Sequence, residues 1–216
     1  MPRKPIPEFD LNAFSGPFRS ESDRACAVLG AALLDSRLEG LFDRRLRCFQ
    51  DELLSSSGVL GTFSARIRVS RALAWISEDV RFDLNQIRAI RNEFAHNMDH
   101  ELSFTNQGIA DKCRTLRVAQ VLIEANEHAA SMPHRNLSPE VIRAIGAIYR
   151  SPRQRFEITV EMLAQHLDEL PADATEYQGP NLRDELWALG TNIRVTFTGT
   201  IVGSPVSPST DSQNNG

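Results

Sequence analysis

Arg91, Asn92 and His96 are the residues of this sequence best suited to chemistry. A guanidinium stays charged at every ordinary pH, and an imidazole is the one side chain that titrates near neutrality unaided. Together they suit a phosphodiester. His96 would act as base or acid, Arg91 would stabilise the charge of the phosphorane, and Asn92 would orient the imidazole or the scissile group. The three close a segment, Asp83 to His96, in which Leu84, Ile87, Ile90, Arg91 and Phe94 recur along one side at helical spacing. Positions five apart on an ideal helix lie about 140° from each other. Arg91 and His96 therefore meet only if the helix end unwinds or a second subunit brings its own copy across a twofold axis. The structural alternative is that Arg91 pairs with an acid such as Asp83 or Glu93 while His96 caps the last helix carbonyls.

Other sets are weaker. Arg66, Arg68 and Arg71 share one helix, where Arg66 either binds a phosphate-bearing ligand beside Arg88 and Arg91 or makes a helix–helix salt bridge, the reading preferred here. Arg135, Arg143, Arg150, Arg153 and Arg155 form a looser group with Glu140 as the acid among them. They would track a nucleic-acid backbone or form a solvated helix face, and the solvated face is the commoner case. His96 and His100 are spaced for a helical metal site, but the pair falls at the expected helix end without a third ligand, so no metal is expected. No Gly-x-Ser-x-Gly elbow occurs, and no glycine-rich phosphate loop. Gly58 and Gly61 bracket a turn ahead of a helix, where an anion can sit. No cofactor is expected.

The elements that must position these residues read as helices. Ser22 caps a long one, with Val28, Leu29, Ala32, Leu33, Leu41, Phe42, Leu46 and Phe49 on its apolar face, and Ser55-Ser56-Ser57-Gly58 breaks it. A second starts at Thr62 or Ser64 and buries Ile67, Ala74, Trp75 and Ile76. Ser77-Glu78-Asp79 marks a stop and restart, and the third helix runs to about Ala95. A fourth begins at Thr105 and carries Ile109, Cys113, Leu116, Val121 and Ile123. Ser138-Pro139-Glu140 starts another, and Phe156, Val160, Leu163 and Leu167 define one that Pro171 ends. Asn181 to Leu189 reads as a short helix and Arg194 to Val202 as a possible short strand. The expected fold is all-α, an antiparallel helical bundle over 21–170, with a flexible arm at 1–20, an appendage at 171–203 and a disordered tail at 204–216.

Composition bounds the function. The 216 residues carry a formal charge of −4, which argues against sequence-independent coating of DNA. No recognition-helix signature with a tight turn stands out, so direct operator reading has little support. Nearly all the cations are arginine, as base composition alone can produce. Cys26, Cys48 and Cys113 are too few and scattered for a disulfide framework and read as buried reduced thiols. No apolar run approaches bilayer length, and no apolar stretch follows Met1-Pro2-Arg3-Lys4-Pro5 to make a secretory signal, so the expected compartment is the cytoplasm.

An ordered series carries a family resemblance. It runs through Leu53-Leu54, the stretch Gly58-Val59-Leu60-Gly61-Thr62-Phe63-Ser64-Ala65-Arg66-Ile67, Leu84 to Arg88, Ile90 to His96, and Leu102-Ser103-Phe104. Over about residues 22–125 the chain resembles the mannitol operon repressor (MltR-like) family. The resemblance implies an all-helical cytoplasmic bundle that regulates gene expression. More broadly, Arg91, Asn92 and His96 are similar to the Arg-polar-spacer-His pattern of HEPN domains. In the catalytic members of that group the pattern implies a metal-independent ribonuclease site assembled across a dimer, while other members bind without cutting. The resulting expectation is a non-enzymatic, repressor-type regulator, a homodimer acting through a protein partner or through RNA or DNA. The alternative is a HEPN-type endoribonuclease or toxin using Arg91, Asn92 and His96, and a weaker third option is a purely structural dimerisation module.

Overall fold

The computed structural model describes residues 9–131 and 151–172. Every regular element among them is a helix: α1 (Leu11–Ser20), α2 (Asp23–Arg45), α3 (Gln50–Leu53), α4 (Phe63–Ala72), α5 (Glu78–His96), α6 (Gln107–Arg114), α7 (Arg117–Ser131) and α8 (Pro152–Glu169). The expected all-α bundle is observed. The segments expected around Ser138-Pro139-Glu140 and over 181–189 and 194–202 lie outside the described residues, as do Arg135, Arg143 and Arg150.

Side-chain caps decide where several helices begin. Ser22, Thr62, Ser77 and Ser151 each accept from the amide three residues on, at Ala25, Ala65, Val80 and Gln154. Asp23, Glu78 and Asp79 add negative charge to the first turns, where the helix dipole favours it.

Packing centres on α2, which lies against α1, α4, α5 and α8, while α5 also meets α4, α6 and α7. Because α2 is covered on several sides, its buried residues are Cys26, Ala27, Ala31, Leu34, Leu38, Leu41 and Phe42. The single stripe expected through Leu29 and Ala32 is therefore wrong in part: Leu29 is 45% exposed. The helix stops at Arg45, and Phe49 stands in the left-handed region (φ 61°), 68% exposed. Gly30 permits the closest approach of α2 to α8. A Cβ there would come within 3.0 Å of both Phe156 and Val160. Phe94, Phe104 and Phe156 continue the core as rings 5.1 Å apart in sequence, tying α5 to α8.

Two expectations at the ends of the fold change. The flexible arm at 1–20 contains α1, started by Asp10 accepting from the amides of Asn12 and Ala13. Phe14 stacks on Phe18 at 4.6 Å, Phe18 is buried, and Arg19 forks onto Glu161 of α8. Propensity disfavours a helix containing Gly16 and Pro17, and tertiary contacts override it. The fourth helix is also two. Asn106, not Thr105, is the N-cap of α6, and the chain breaks at Thr115 before α7.

Buried charges hold that break. Asp83 of α5 accepts from the amides of Arg117 and Val118, both at 2.9 Å, and so caps α7. Arg155 of α8 donates to the carbonyls of Cys113 and Arg114, at 3.1 and 3.0 Å, at the end of α6. Asp83 is thus a helix cap and not a partner of Arg91. Burial pushes its carboxyl up to about 7, against the pull of the two amides and of Arg117. The unfolded value is about 3.9, so between roughly pH 4 and pH 7 the folded chain binds more protons than the unfolded one, and stability declines as pH rises. Asp83→Asn, which loses one acceptor, is expected to cost about 1–3 kcal/mol at neutral pH. It should also flatten that part of the stability–pH curve, as read by urea unfolding at successive pH values.

Candidate functional site

A groove of about 360 Å³ opens between α2, the start of α4 and the middle of α5. Its α2 side carries Val28, Ala31, Ala32 and Asp35; Gly61, Thr62, Phe63 and Ser64 line the α4 side; Arg88, Arg91 and Asn92 descend from α5. The arginines and the amide sit at i, i+3 and i+4, one face of a helix. The adjoining face of α5 supplies Leu84, Ile87, Ile90 and Phe94 to the core, all fully buried. Small residues on α2 leave the space.

The turn before α4 is shaped for this position. A Cβ on Gly61 would stand 2.4 Å from the carbonyl oxygen of Ser55, and one on Gly58 2.3 Å from that of Glu52. Only glycine lets the loop fold this tightly onto α3. The turn delivers the N-terminus of α4 to the groove, where Thr62 satisfies the amide of Ala65. The first-turn amides of Phe63 and Ser64 have no intrahelical partner.

The expected binding residues separate. Arg66 is buried and lies behind the groove, held by Asp35 at 2.5 Å and Glu39 at 2.7 Å. It is the helix–helix salt bridge, and it does not line the groove. Burial holds the Asp35 carboxyl above its ordinary value against the pull of Arg66. Arg68 is exposed, and Arg71 faces Glu78 at 3.5 Å. Arg88 and Arg91 do line the groove. Arg88 makes no hydrogen bond or ion pair with a described residue, and its buried Nε has no acceptor. Arg91 donates to the Oδ1 of its neighbour Asn92 at 3.1 Å.

His96 is elsewhere. The helix continues without unwinding, and the amide of Asn97 still donates to the carbonyl of Glu93 at 3.1 Å. Arg91 and His96 therefore keep their wide separation around the axis. His96 is exposed and does not line the groove. It does not cap the helix either. That role falls to Arg24 of α2, which donates to the carbonyls of Phe94, Asn97 and Asp99. Glu93 pairs with Lys112 and not with Arg91. One subunit thus joins Arg91 to Asn92 but leaves His96 out.

The looser arginine group is structural where it is described. Arg153 bridges Asp23 and Glu157, and Arg155 closes the α6–α7 break. Cys26 and Cys113 are buried, and burial raises both thiols to about 12. Cys48 is exposed, contrary to expectation, because α2 ends before it. Among the described residues no group of three or more His, Cys, Asp or Glu side chains is placed to hold a metal ion, and no helix is long and apolar enough to cross a membrane.

Sequence reasoning missed Arg24, Ser64 and Asp35. Ser64 stood in view as a possible cap and within the ordered series, and nothing local marks Arg24, whose acceptors are 70 to 75 residues away.

With this geometry in hand, the chain compares with one solved structure, the X-ray structure of the MtlR–HPr complex from Escherichia coli. The likeness has a TM-score of 0.51 at 18% identity, and covers 72% of this chain and 99% of that one. The two share a fold. No family model and no curated protein matches the sequence.

Arg24→Ala is expected to lower stability by about 1–2 kcal/mol, because three carbonyls lose a charged donor. Lysine, lacking the planar fork, should restore only part of it. Denaturant unfolding measures the cost, and faster amide exchange confined to the end of α5 and residues 97–100 locates it.

Proposed function

We propose that the protein is an MltR-like regulator of gene expression, of the repressor type, that acts by binding a protein partner. The observation that carries this reading is the shared fold with MtlR, over 72% of this chain and nearly the whole of the other. The ordered series from Leu53 to Phe104 supports it independently. MtlR was solved in complex with HPr, and a partner of the HPr type is the first to test here. The reading places the regulator in the cytoplasm as a homodimer.

Electrostatics favours a protein over a nucleic acid as that partner. The net charge is −4, and Arg19, Arg44, Arg66, Arg153 and Arg155 are engaged within the fold. Among the described residues, Arg24, Arg71, Arg81, Arg114 and Arg117 are engaged as well, which leaves few arginines there to follow a phosphate backbone. The ribonuclease reading needs a second subunit to bring His96 to an Arg91.

Purified chain mixed with purified HPr is expected to give a stoichiometric complex by calorimetry and by size-exclusion chromatography. The reading fails if HPr does not bind and the chain instead cleaves RNA or arrests growth on overexpression, with both effects abolished by His96→Ala.

A further inference from the structure

Several of the described arginines are internal braces: Arg24 on helix carbonyls, Arg66 between two carboxylates, Arg153 across Asp23 and Glu157, and Arg155 on the end of α6. Others, such as Arg71, Arg81 and Arg114, form surface pairs. Arg88 and Arg91 are different. Both face the α2–α4–α5 groove, and neither meets a carboxylate within ion-pair distance among the described residues. A half-buried guanidinium with a buried, unanswered Nε is an exception to the rule that buried donors find acceptors.

Across the groove, the α4 side of the wall adds further donors. The first-turn amides of Phe63 and Ser64 have no intrahelical partner and stand at the positive end of the α4 dipole, and Ser64 adds a hydroxyl. Asn92 adds a side-chain amide. The one acid in the lining, Asp35, is bound to Arg66 and also attracts Arg91, so it offsets the two cations only in part. Such a set matches a compact dianion with several acceptor oxygens, which guanidinium forks grip in pairs.

The rest of the lining limits what carries the dianion. Val28, Ala31 and Ala32 give an apolar floor, and Phe63 an aromatic edge. The volume, about 360 Å³, is that of a small-molecule site. A long polyanion would have to run past Asp35 and Glu39, both partly exposed on α2. We propose that the groove binds a small phosphate monoester, its phosphate held by Arg88, Arg91 and the start of α4, its organic part against Ala31, Ala32 and Phe63, and Asp35 accepting from a hydroxyl at its far end. This site stands whether or not an HPr-type partner binds.

The test is calorimetric titration of the full chain with phenyl phosphate and with inorganic phosphate, beside a short single-stranded RNA. Saturable binding of phenyl phosphate is expected, with inorganic phosphate weaker. Arg91→Gln, at an exposed position, is expected to weaken it by about tenfold or more, as loss of a charge-assisted pair does. Arg88→Gln should do the same. Ser64→Asp keeps the helix start favourable while repelling the dianion, so it tests the site even if the Arg88 variant fails to fold. Arg114→Gln, which removes a surface pair with Asp111, should change nothing. The proposal is overturned if neither phosphate binds, if the Arg91 and Ser64 variants bind as the parent does, or if RNA binds and phenyl phosphate does not displace it.

Discussion

One buried guanidinium sets the geometry of the groove. Arg66 rises from α4 into the space beside α2 and is held there by Asp35 and Glu39, one helical turn apart. Losing either carboxylate would leave the buried guanidinium with one partner in place of two. The pairing fixes the distance and rotation of α4 relative to α2. It thereby fixes where the amides of Phe63 and Ser64 stand relative to Arg88 and Arg91. It also binds Asp35, which still attracts Arg91 across the groove wall.

The same logic runs through the rest of the bundle. Polar groups are brought inside where a helix end needs them: Arg24 at the end of α5, Asp83 at the start of α7, Arg155 at the end of α6. Each supplies from a distant helix what the local sequence does not. Apolar burial around Phe42, Phe94, Phe104 and Phe156 gives the fold its driving force. The charged braces select among the packings that such a core would allow.

Much of this was legible in the sequence where the signal is local. Ser22, Thr62 and Ser77 are start signals that act within one turn, and the structure has them at those places. The core face of α5 follows from spacing alone, and Phe156, Val160, Leu163 and Leu167 of α8 are buried as expected, although α8 is buried around most of its circumference from Arg155 to Glu161. The α2 stripe misled because a central helix is covered on several sides. The α1 helix was hidden by Gly16 and Pro17, and depends on aromatic contacts that no local pattern reveals. For the site, spacing identified Arg88 and Arg91 but grouped them with Arg66 and His96. The division came from what each meets in space: two carboxylates behind the wall for Arg66, and open solvent for His96.

The α6–α7 break has a consequence for how the chain assembles. Apolar periodicity runs straight through from Ile109 to Ile123, so the isolated segment has every local reason to continue as one helix. What divides it arrives from outside, across separations of 34 to 42 residues. Loop closure must come before such contacts are rewarded. The bend therefore requires α5 and α8 to be docked, and it ties local helical preference to completed tertiary structure.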